Sequence, residues 1–182
     1  MKRLCILLLL AGSALCAQAA DPLLAELAKE DQDSRTGKDV ARTDRQRQEI
    51  VLSMLAQGRL QDAQDRFNAG LVLQHTGMTF CGDKLISLSA DNYLIAHHLF
   101  TQAMADGHPG AAYLAAASID RFLSVTEGRQ RFGTNRFINQ ETGAEELTPI
   151  DRSVSDAERA RHGVPPLAEL LKRYPEAKPA GG

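Results

Sequence analysis

A helical hairpin between residues 90 and 125 constrains the fold of this chain more than any other stretch. Apolar residues recur every three or four positions from Ala90 to Ala103, the spacing that places them on one face of a helix. Gly107 and Pro109 then interrupt this pattern. A second helix is predicted from Ala111 to Val125, with an alanine-rich face that suits close packing. The stretch therefore predicts two adjacent helices joined by a short turn.

Shorter segments along the rest of the chain show helical signals too. Asp21 before Pro22 is typical of a helix start, and Gly58 stands where a helix commonly ends. The predicted helices are Pro22 to about Ser34, a segment through Ile50 and Leu55, Leu60 to His75, a short helix after the capping box Ser155 to Glu158, and a last one through Leu167 and Tyr174. They predict a mainly α fold, a compact bundle of helical hairpins. We expect the last helix to fold back on that bundle.

Two segments lack the helical period. Residues 137–150 hold two apolar stretches around a glycine-containing turn, which predicts a short irregular or β-hairpin insert. Residues 78–89 are also less regular, and Cys81-Gly82-Asp83 is typical of a loop or turn.

The N-terminal segment has the features of a secretory signal. Lys2 and Arg3 precede an apolar run, and Ala17-Gln18-Ala19 is the pattern that signal peptidase accepts. The run is shorter than the roughly 20 residues that span a bilayer. We therefore expect cleavage near Ala19 and a periplasmic or secreted chain without a membrane span. Cys16 follows Leu15 rather than a small residue, which disfavours lipidation.

The chain is accordingly divided into a signal peptide at 1–19, a single helical domain at 20–174 and a disordered tail at 175–182. Loss of the signal would leave Cys81 as the one cysteine, so no internal disulfide is expected. The formal net charge is −2 at pH 7 and becomes more negative without Lys2 and Arg3. No basic face is left to favour nucleic acid as a partner.

A dense polar cluster follows the hairpin. Its members lie within sixteen residues: Asp120, Arg121, Gln130, Arg131, Thr134 and Asn135. In a structural interpretation, Asp120 accepts hydrogen bonds from backbone or a neighbouring helix and Arg121 pairs with a carboxylate. In a functional one, Arg121 binds an anion in a pocket while Asp120 orients a histidine or a water. Gln130, Thr134 and Asn135 either contact a ligand or satisfy the backbone of a turn.

Several motifs together resemble an uncharacterised bacterial family, a domain of unknown function, between about Asp31 and Leu170. They are Leu73-Gln74-His75, Tyr93-x2-Ala96-His97, Leu114 to Ala117 with Asp120-Arg121, Gly128-x-Gln130-x-Phe132-Gly133-Thr134-Asn135, and Glu158-Arg159-x3-Gly163-Val164-Pro165. Members typically carry Gly-Thr-Gln where this chain has Asn135, whose side chain is shorter. The resemblance implies site positions but no activity. The spacing of Ala96, Phe100 and Ala103 also resembles one Sel1-like or tetratricopeptide unit.

The resemblance supports two candidate proton-transfer groups, His75 and His97. Tyr93 and Phe100 share the helix face of His97, which places it inward, although a core histidine bonded to a neighbouring helix has the same pattern. Asp31 and Arg35 are spaced to pair on a helix surface and also fit the family's N-terminal pattern as ligand-binding residues. No short-spaced metal motif or cofactor motif is present, so neither a metal nor a cofactor is predicted.

Two functions remain open. The first is an exported, non-catalytic helical binding module that takes an unknown protein or small-molecule ligand near Asp120 to Asn135. The alternative is a small hydrolase-like enzyme using His75 or His97 with Asp120 and Arg121. The sequence contains no Gly-x-Ser-x-Gly elbow and no phosphate-binding glycine loop, which favours the binding module.

Overall fold

The computed structural model describes residues 20–76, 78–81, 84–87, 89–139 and 141–180, and this part of the chain is mainly helical. The predicted signal peptide lies outside the described residues, so the structure does not bear on it. In chain order the elements are α1 (Pro22–Arg35), α2 (Asp44–Ala56), α3 (Ala63–Gln74), β1 (Met78–Cys81), β2 (Lys84–Ser87), α4 (Asp91–Ala105), α5 (Ala111–Thr126), β3 (Arg136–Ile138), β4 (Glu145–Leu147), α6 (Asp156–Arg161) and α7 (Leu167–Arg173). The predicted class, mainly α with a β-hairpin near 137–150, is confirmed.

Side-chain caps fix where several helices begin. Asp21 accepts a hydrogen bond from the Leu23 N–H, and Ser155 accepts one from the Glu158 N–H. Thr43 and Gln46 form a reciprocal capping box. This box provides acceptors for two backbone N–H groups that have no partner within the helix. Helix α2 therefore begins at Asp44, several residues before the apolar segment from which the helix was predicted.

Helices α1 to α5 share one apolar core. Its fully buried members include Leu24 and Leu27 of α1, Val51 of α2, Val72 and Leu73 of α3, Phe100 of α4 and Ala115 of α5. Gly70 lets the ring of Phe100 approach α3 closely, since a Cβ at this position would lie 2.8 Å from the ring. Ala115, Ala116 and Ser118 of α5 are also fully buried. The small-residue face thus packs as the sequence indicates.

Both β-hairpins are antiparallel and two-stranded. In the first, Met78 pairs with Ser87 and Cys81 with Lys84; in the second, Arg136 pairs with Leu147. The sequence predicts only the second. For the first, the sequence predicts only a less regular segment with a loop or turn at Cys81-Gly82-Asp83. Gly82-Asp83, which separates its strands in the sequence, is a dipeptide typical of two-residue hairpins.

The C-terminal part of the chain gathers around Ile150. Backbone bridges join this residue to Gln130 and to Pro179. A second apolar cluster contains Leu147, Ile150, Leu170, Tyr174 and Ala177. Helix α7 therefore packs on the β3–β4 region, whereas the sequence predicted that it would fold back on the helical bundle.

Residues 177–180 lie against the same region, although their composition predicts a disordered tail. The Ile150 N–H donates to the Lys178 carbonyl at 2.9 Å, and the Ala180 N–H donates to the Ile150 carbonyl at 2.8 Å. Backbone hydrogen bonds hold this segment, and such bonds leave no mark on side-chain composition.

None of the helices in the described ranges is long and apolar enough to cross a membrane.

Candidate functional site

Asp120 holds the loop that follows α5. Its buried carboxylate accepts four hydrogen bonds, from the backbone N–H groups of Arg131 (2.7 Å), Phe132 (2.8 Å) and Thr134 (2.8 Å) and from the Thr134 hydroxyl (2.8 Å). Burial raises the pKa of Asp120, while these four donors oppose that rise. Both oxygens of this carboxylate thus accept hydrogen bonds from residues of the loop. The structural interpretation of Asp120 therefore describes its observed contacts.

Gln130 ties the same loop to the segment after β4. Its side-chain amide is fully buried and donates to the carbonyls of Asn135 (3.0 Å) and Thr148 (2.7 Å), while its amide oxygen accepts from the Asn135 N–H (2.8 Å). Its backbone also bonds to Pro149 and Asp151. Of the two alternatives that the sequence left open for Gln130, ligand contact or satisfaction of a turn, these hydrogen bonds match the second.

Arg159 also supports the loop, and the sequence did not mark it as a site residue. This fully buried guanidinium donates to the Phe132 carbonyl at 2.6 Å and to the Pro165 carbonyl at 2.7 Å. Burial lowers its pKa, and the nearby carboxylate of Asp120 acts in the other direction. A buried cation and a buried anion thus brace one short loop from two sides.

Arg121 differs from these residues because much of its hydrogen-bonding capacity is unused. Its Nη1 donates to the Gln74 Oε1 at 2.9 Å, across the interface between α5 and α3. Among the described residues no carboxylate pairs with it, although an acidic partner was the structural expectation. The side chain is half-buried, and burial lowers its pKa. Arg121 is therefore a poorly solvated cation without a counter-ion in the part of the chain that the structure describes.

Arg121 lines a pocket with a volume of about 380 Å³, which we call the polar pocket. Its walls come from α5, the loop and the second hairpin: Tyr113, Leu114, Ala117, Arg121, Thr134, Asn135, Arg136 and Glu145. The Asn135 side-chain amide makes no hydrogen bond to any described residue, since only its backbone groups are used. The polar pocket thus combines a cation with an amide that is free to bind a ligand.

A neighbouring pocket of about 250 Å³, the aromatic pocket, lies between the loop and α7. It is lined by Tyr113, Phe132, Gly133, Thr134, Arg136, Val164, Pro165, Glu169, Leu170, Arg173 and Tyr174. Tyr113, Thr134 and Arg136 line both pockets. We call the two pockets together the cleft. One end of the cleft is polar, and the other is mostly apolar and aromatic.

His75 belongs to a separate group, the N-terminal cluster, formed by Asp31, Arg35, Asp44 and His75. The His75 Nδ1 lies 2.7 Å from the Asp31 Oδ2. Arg35 donates to Asp31 at 3.2 Å and to Asp44 at 2.6 Å. Asp31 is fully buried, whereas the His75 side chain is 21% exposed. The structure therefore brings three predicted residues together, but away from hydrogen-bonding contact with Asp120.

His97 occupies a third environment. Its Nδ1 lies 2.9 Å from the Ala115 carbonyl, which fixes the proton on this nitrogen because a carbonyl can only accept. Burial lowers the pKa of His97 and favours the neutral ring. This geometry matches the structural alternative, a core histidine bonded to a neighbouring helix. Neither His97 nor His75 shares a hydrogen bond with Asp120.

The sequence identified part of the cleft and missed the rest. Of the residues that the sequence singled out, Arg121, Thr134 and Asn135 line the cleft, while Gln130 and Asp120 support its wall. Tyr113, Arg136 and Gln74 were missed as site residues. Arg136 contacts Tyr174 and Gln74 contacts Arg121, in each case across a long sequence separation. A tyrosine within an alanine-rich stretch was the available sequence signal for Tyr113. Within the described ranges, no three His, Cys, Asp or Glu side chains lie close enough to hold a metal ion.

Comparison of the chain with family models, with curated proteins and with solved structures gives no match in any of the three.

Proposed function

We propose that this protein is a non-catalytic binding module whose ligand occupies the cleft. One observation carries the proposal. The buried polar residues Asp120, Gln130 and Arg159 use their side chains to build the cleft wall, while Arg121 and the Asn135 amide face the cleft with donors to spare. A rigid wall with a few unsatisfied polar groups is the usual form of a small-molecule site.

The proposal rests on a wall that is fixed before any ligand arrives. The loop between Arg131 and Asn135 is held by hydrogen bonds from two directions. A preformed site loses less conformational entropy on binding than a mobile one. The two pockets have volumes of about 250 and 380 Å³, which suits a small molecule.

An NMR-detected fragment screen tests this function without assuming a ligand. Bound fragments should perturb resonances of the cleft, and Tyr113→Ala should remove those perturbations because Tyr113 lines both pockets. Val125→Ala is the matched control, since Val125 is another exposed apolar residue of α5 and lies outside the pocket linings. Fragments that bind elsewhere, or that bind Tyr113→Ala unchanged, would contradict the proposal.

We propose further that the module acts outside the cytoplasm, because the N-terminal segment carries a charged start, an apolar run and a small-residue cleavage pattern. The intact mass of the protein purified from the extracytoplasmic fraction should correspond to a chain that begins near Ala20. A chain that still begins at Met1 would contradict export with cleavage.

A hydrolase-like enzyme is the second candidate, and the distance between His75 and Asp31 favours it. A carboxylate at Nδ1 fixes the ring so that Nε2 can exchange a proton, the arrangement used by histidines in acid–base catalysis. Asp31 would take the orienting role that the sequence suggested for Asp120. Hydrolysis of nitrophenyl esters and phosphoesters tests this candidate: His75→Gln should abolish turnover, while exposed His98→Gln should not. Equal turnover of the two variants excludes it.

A further inference from the structure

We infer that the cleft binds a small organic carboxylate with an apolar body, the carboxylate at Arg121 and the apolar part in the aromatic pocket. This inference rests on the proposed function and adds the chemical class of the ligand. It is carried by the charges and the shape of the two pockets.

Arg121 supplies the anion-binding end. A guanidinium has five N–H donors in a planar fork, which matches the two oxygens of a carboxylate. The contact with Gln74 uses Nη1 alone. A half-buried cation is only partly hydrated, because the protein has already removed some of its solvent. A carboxylate that binds Arg121 with good geometry therefore displaces less water than it would at an exposed arginine. The charge-assisted bonds formed in this way are stronger than neutral ones.

The other charges of the polar pocket balance each other. Glu145 lies 3.5 Å from Arg136 and accepts a hydrogen bond of 2.6 Å from the Tyr174 hydroxyl. Tyr174 in turn lies 3.4 Å from the Arg136 guanidinium. This Arg136–Glu145 pair leaves Arg121 as the unbalanced charge among the described residues that line the polar pocket. A single negative charge on the ligand would neutralise it.

The polar pocket offers no partner for a second negative charge. Arg121 is the one unbalanced cation among the described residues that line it, so the second charge of a phosphate dianion would stay uncompensated there. A monoanionic carboxylate therefore fits the polar pocket better than inorganic phosphate does.

The aromatic pocket determines the rest of the ligand. Phe132, Val164 and Leu170 are buried and give it an apolar interior. Tyr113, which is 44% exposed, lines both pockets. Glu169 and Arg173 bring one charge of each sign to the α7 side, so this pocket adds no net charge. An alkyl or aryl group attached to the carboxylate would bury apolar surface here.

Calorimetric titration of the full mature chain with four probes tests the inference. Octanoate carries both features, octanamide keeps the tail without the charge, acetate keeps the charge without the tail, and inorganic phosphate is the dianionic comparison. We expect octanoate to bind at least about tenfold more tightly than octanamide, the preference that a charged contact of about 1.4 kcal/mol gives. Acetate and phosphate should also bind more weakly than octanoate, because they lack the apolar tail.

Variants then locate the contact. Arg121→Gln should abolish the preference for octanoate over octanamide, and Tyr113→Ala should weaken both probes. Arg45→Gln is the matched control, because Arg45 is an exposed arginine of α2 and is not among the residues that line the cleft. If Arg121→Gln fails to fold, the comparison of octanoate with octanamide on the unmodified chain still decides.

The outcomes separate this inference from the proposed function. Equal binding of octanoate and octanamide, or a preference that survives Arg121→Gln, overturns the carboxylate assignment. If fragments still bind the cleft in that case, the binding module stands with another ligand class. If neither fragments nor octanoate bind the cleft, both proposals fail.

Discussion

The carboxylate of Asp120 and the backbone N–H of Phe132 are joined by a hydrogen bond of 2.8 Å that links helix α5 to the loop forming the cleft wall. Three further donors converge on the same carboxylate. The position of this wall therefore depends on one buried acidic side chain.

Replacing Asp120 with alanine should destabilise the protein strongly. The substitution leaves three backbone N–H groups and a hydroxyl without their acceptor, and a buried unsatisfied donor costs about 1–3 kcal/mol. We expect the free energy of unfolding in urea to fall by about 3–5 kcal/mol, since such losses are not additive. Asp120→Asn, which keeps one oxygen acceptor, should cost less. Asp39→Ala is the control, because Asp39 is exposed in a loop and its loss should stay within about 0.5 kcal/mol. Similar losses for Asp120→Ala and Asp39→Ala would contradict the anchoring role.

Gly133→Ala should be more costly than Gly143→Ala. Both glycines have a positive φ, +80° and +70°, so an L-residue costs roughly 1–2 kcal/mol at either position. At Gly133 the added Cβ would also overlap the Leu170 side chain, whereas the space at Gly143 is open within 4 Å. Thermal unfolding should show an extra loss of at least about 1 kcal/mol for Gly133→Ala. A double-mutant cycle with Leu170→Ala should recover part of it; an absence of coupling would argue against this contact.

Stability should decline on acidification because of His97. Burial lowers the pKa of His97 below its ordinary value of about 6.5, so between these two pKa values the unfolded chain binds more protons than the folded one. The free energy of unfolding therefore rises with pH across this window and falls as the pH is lowered through it. His97→Gln, whose amide can still donate to the Ala115 carbonyl, should reduce the slope. Burial also lowers the pKa of His108, so some slope should remain.

Urea unfolding between pH 5 and 7 measures this slope, about the range in which a histidine titrates. His98→Gln is the control, since His98 is exposed on the same helix. If His98→Gln reduces the slope as much as His97→Gln does, the effect does not arise from the buried ring.

Two aspartates of α1 should differ sharply in their contributions to stability. Asp31 is fully buried and contacts His75, Arg35 and Gln32. Asp31→Ala therefore leaves His75 and Gln32 without this acceptor, while Arg35 keeps its contact with Asp44. We expect a loss of about 2–3 kcal/mol. Asp33 forms ion pairs only with the exposed lysines 29 and 38 among the described residues, and Asp33→Ala should cost less than about 1 kcal/mol. Both changes replace aspartate with alanine in one helix, so helix propensity cancels in the comparison. Equal losses in urea unfolding would contradict the N-terminal cluster.

The helices could be predicted because their signals are local. The apolar period of α4 and α5, the Asp21-Pro22 start of α1 and the Ser155 cap of α6 each act within a few residues. The first hairpin was missed although Gly82-Asp83 is a suitable turn dipeptide, because short apolar runs do not distinguish strand from loop. The sequence predicted no start for α2, since its first turns are polar and the cap at Thr43 was not recognised.

The site was predicted less completely because its residues meet across long sequence separations. Asp31 contacts His75 over 44 positions and Gln74 contacts Arg121 over 47. Asp120 and Gln130 stood out as polar residues near an alanine-rich helix, but the sequence left open whether they face a ligand or their own backbone. Arg159 was missed as a supporting residue because a charged side chain is rarely buried.

By itself the sequence determined that this chain forms amphipathic helices with capped ends, a small-residue interface between α4 and α5, and a β-hairpin after the polar cluster. These properties follow from side-chain periodicity and from capping, which involve neighbouring residues only. The tertiary structure alone decided that Asp120, Gln130 and Arg159 turn inward to hold a loop while Arg121 lines a cleft. The reason is that burial and partner choice depend on how separate helices pack, and a local repeat of 3.6 residues does not encode that packing.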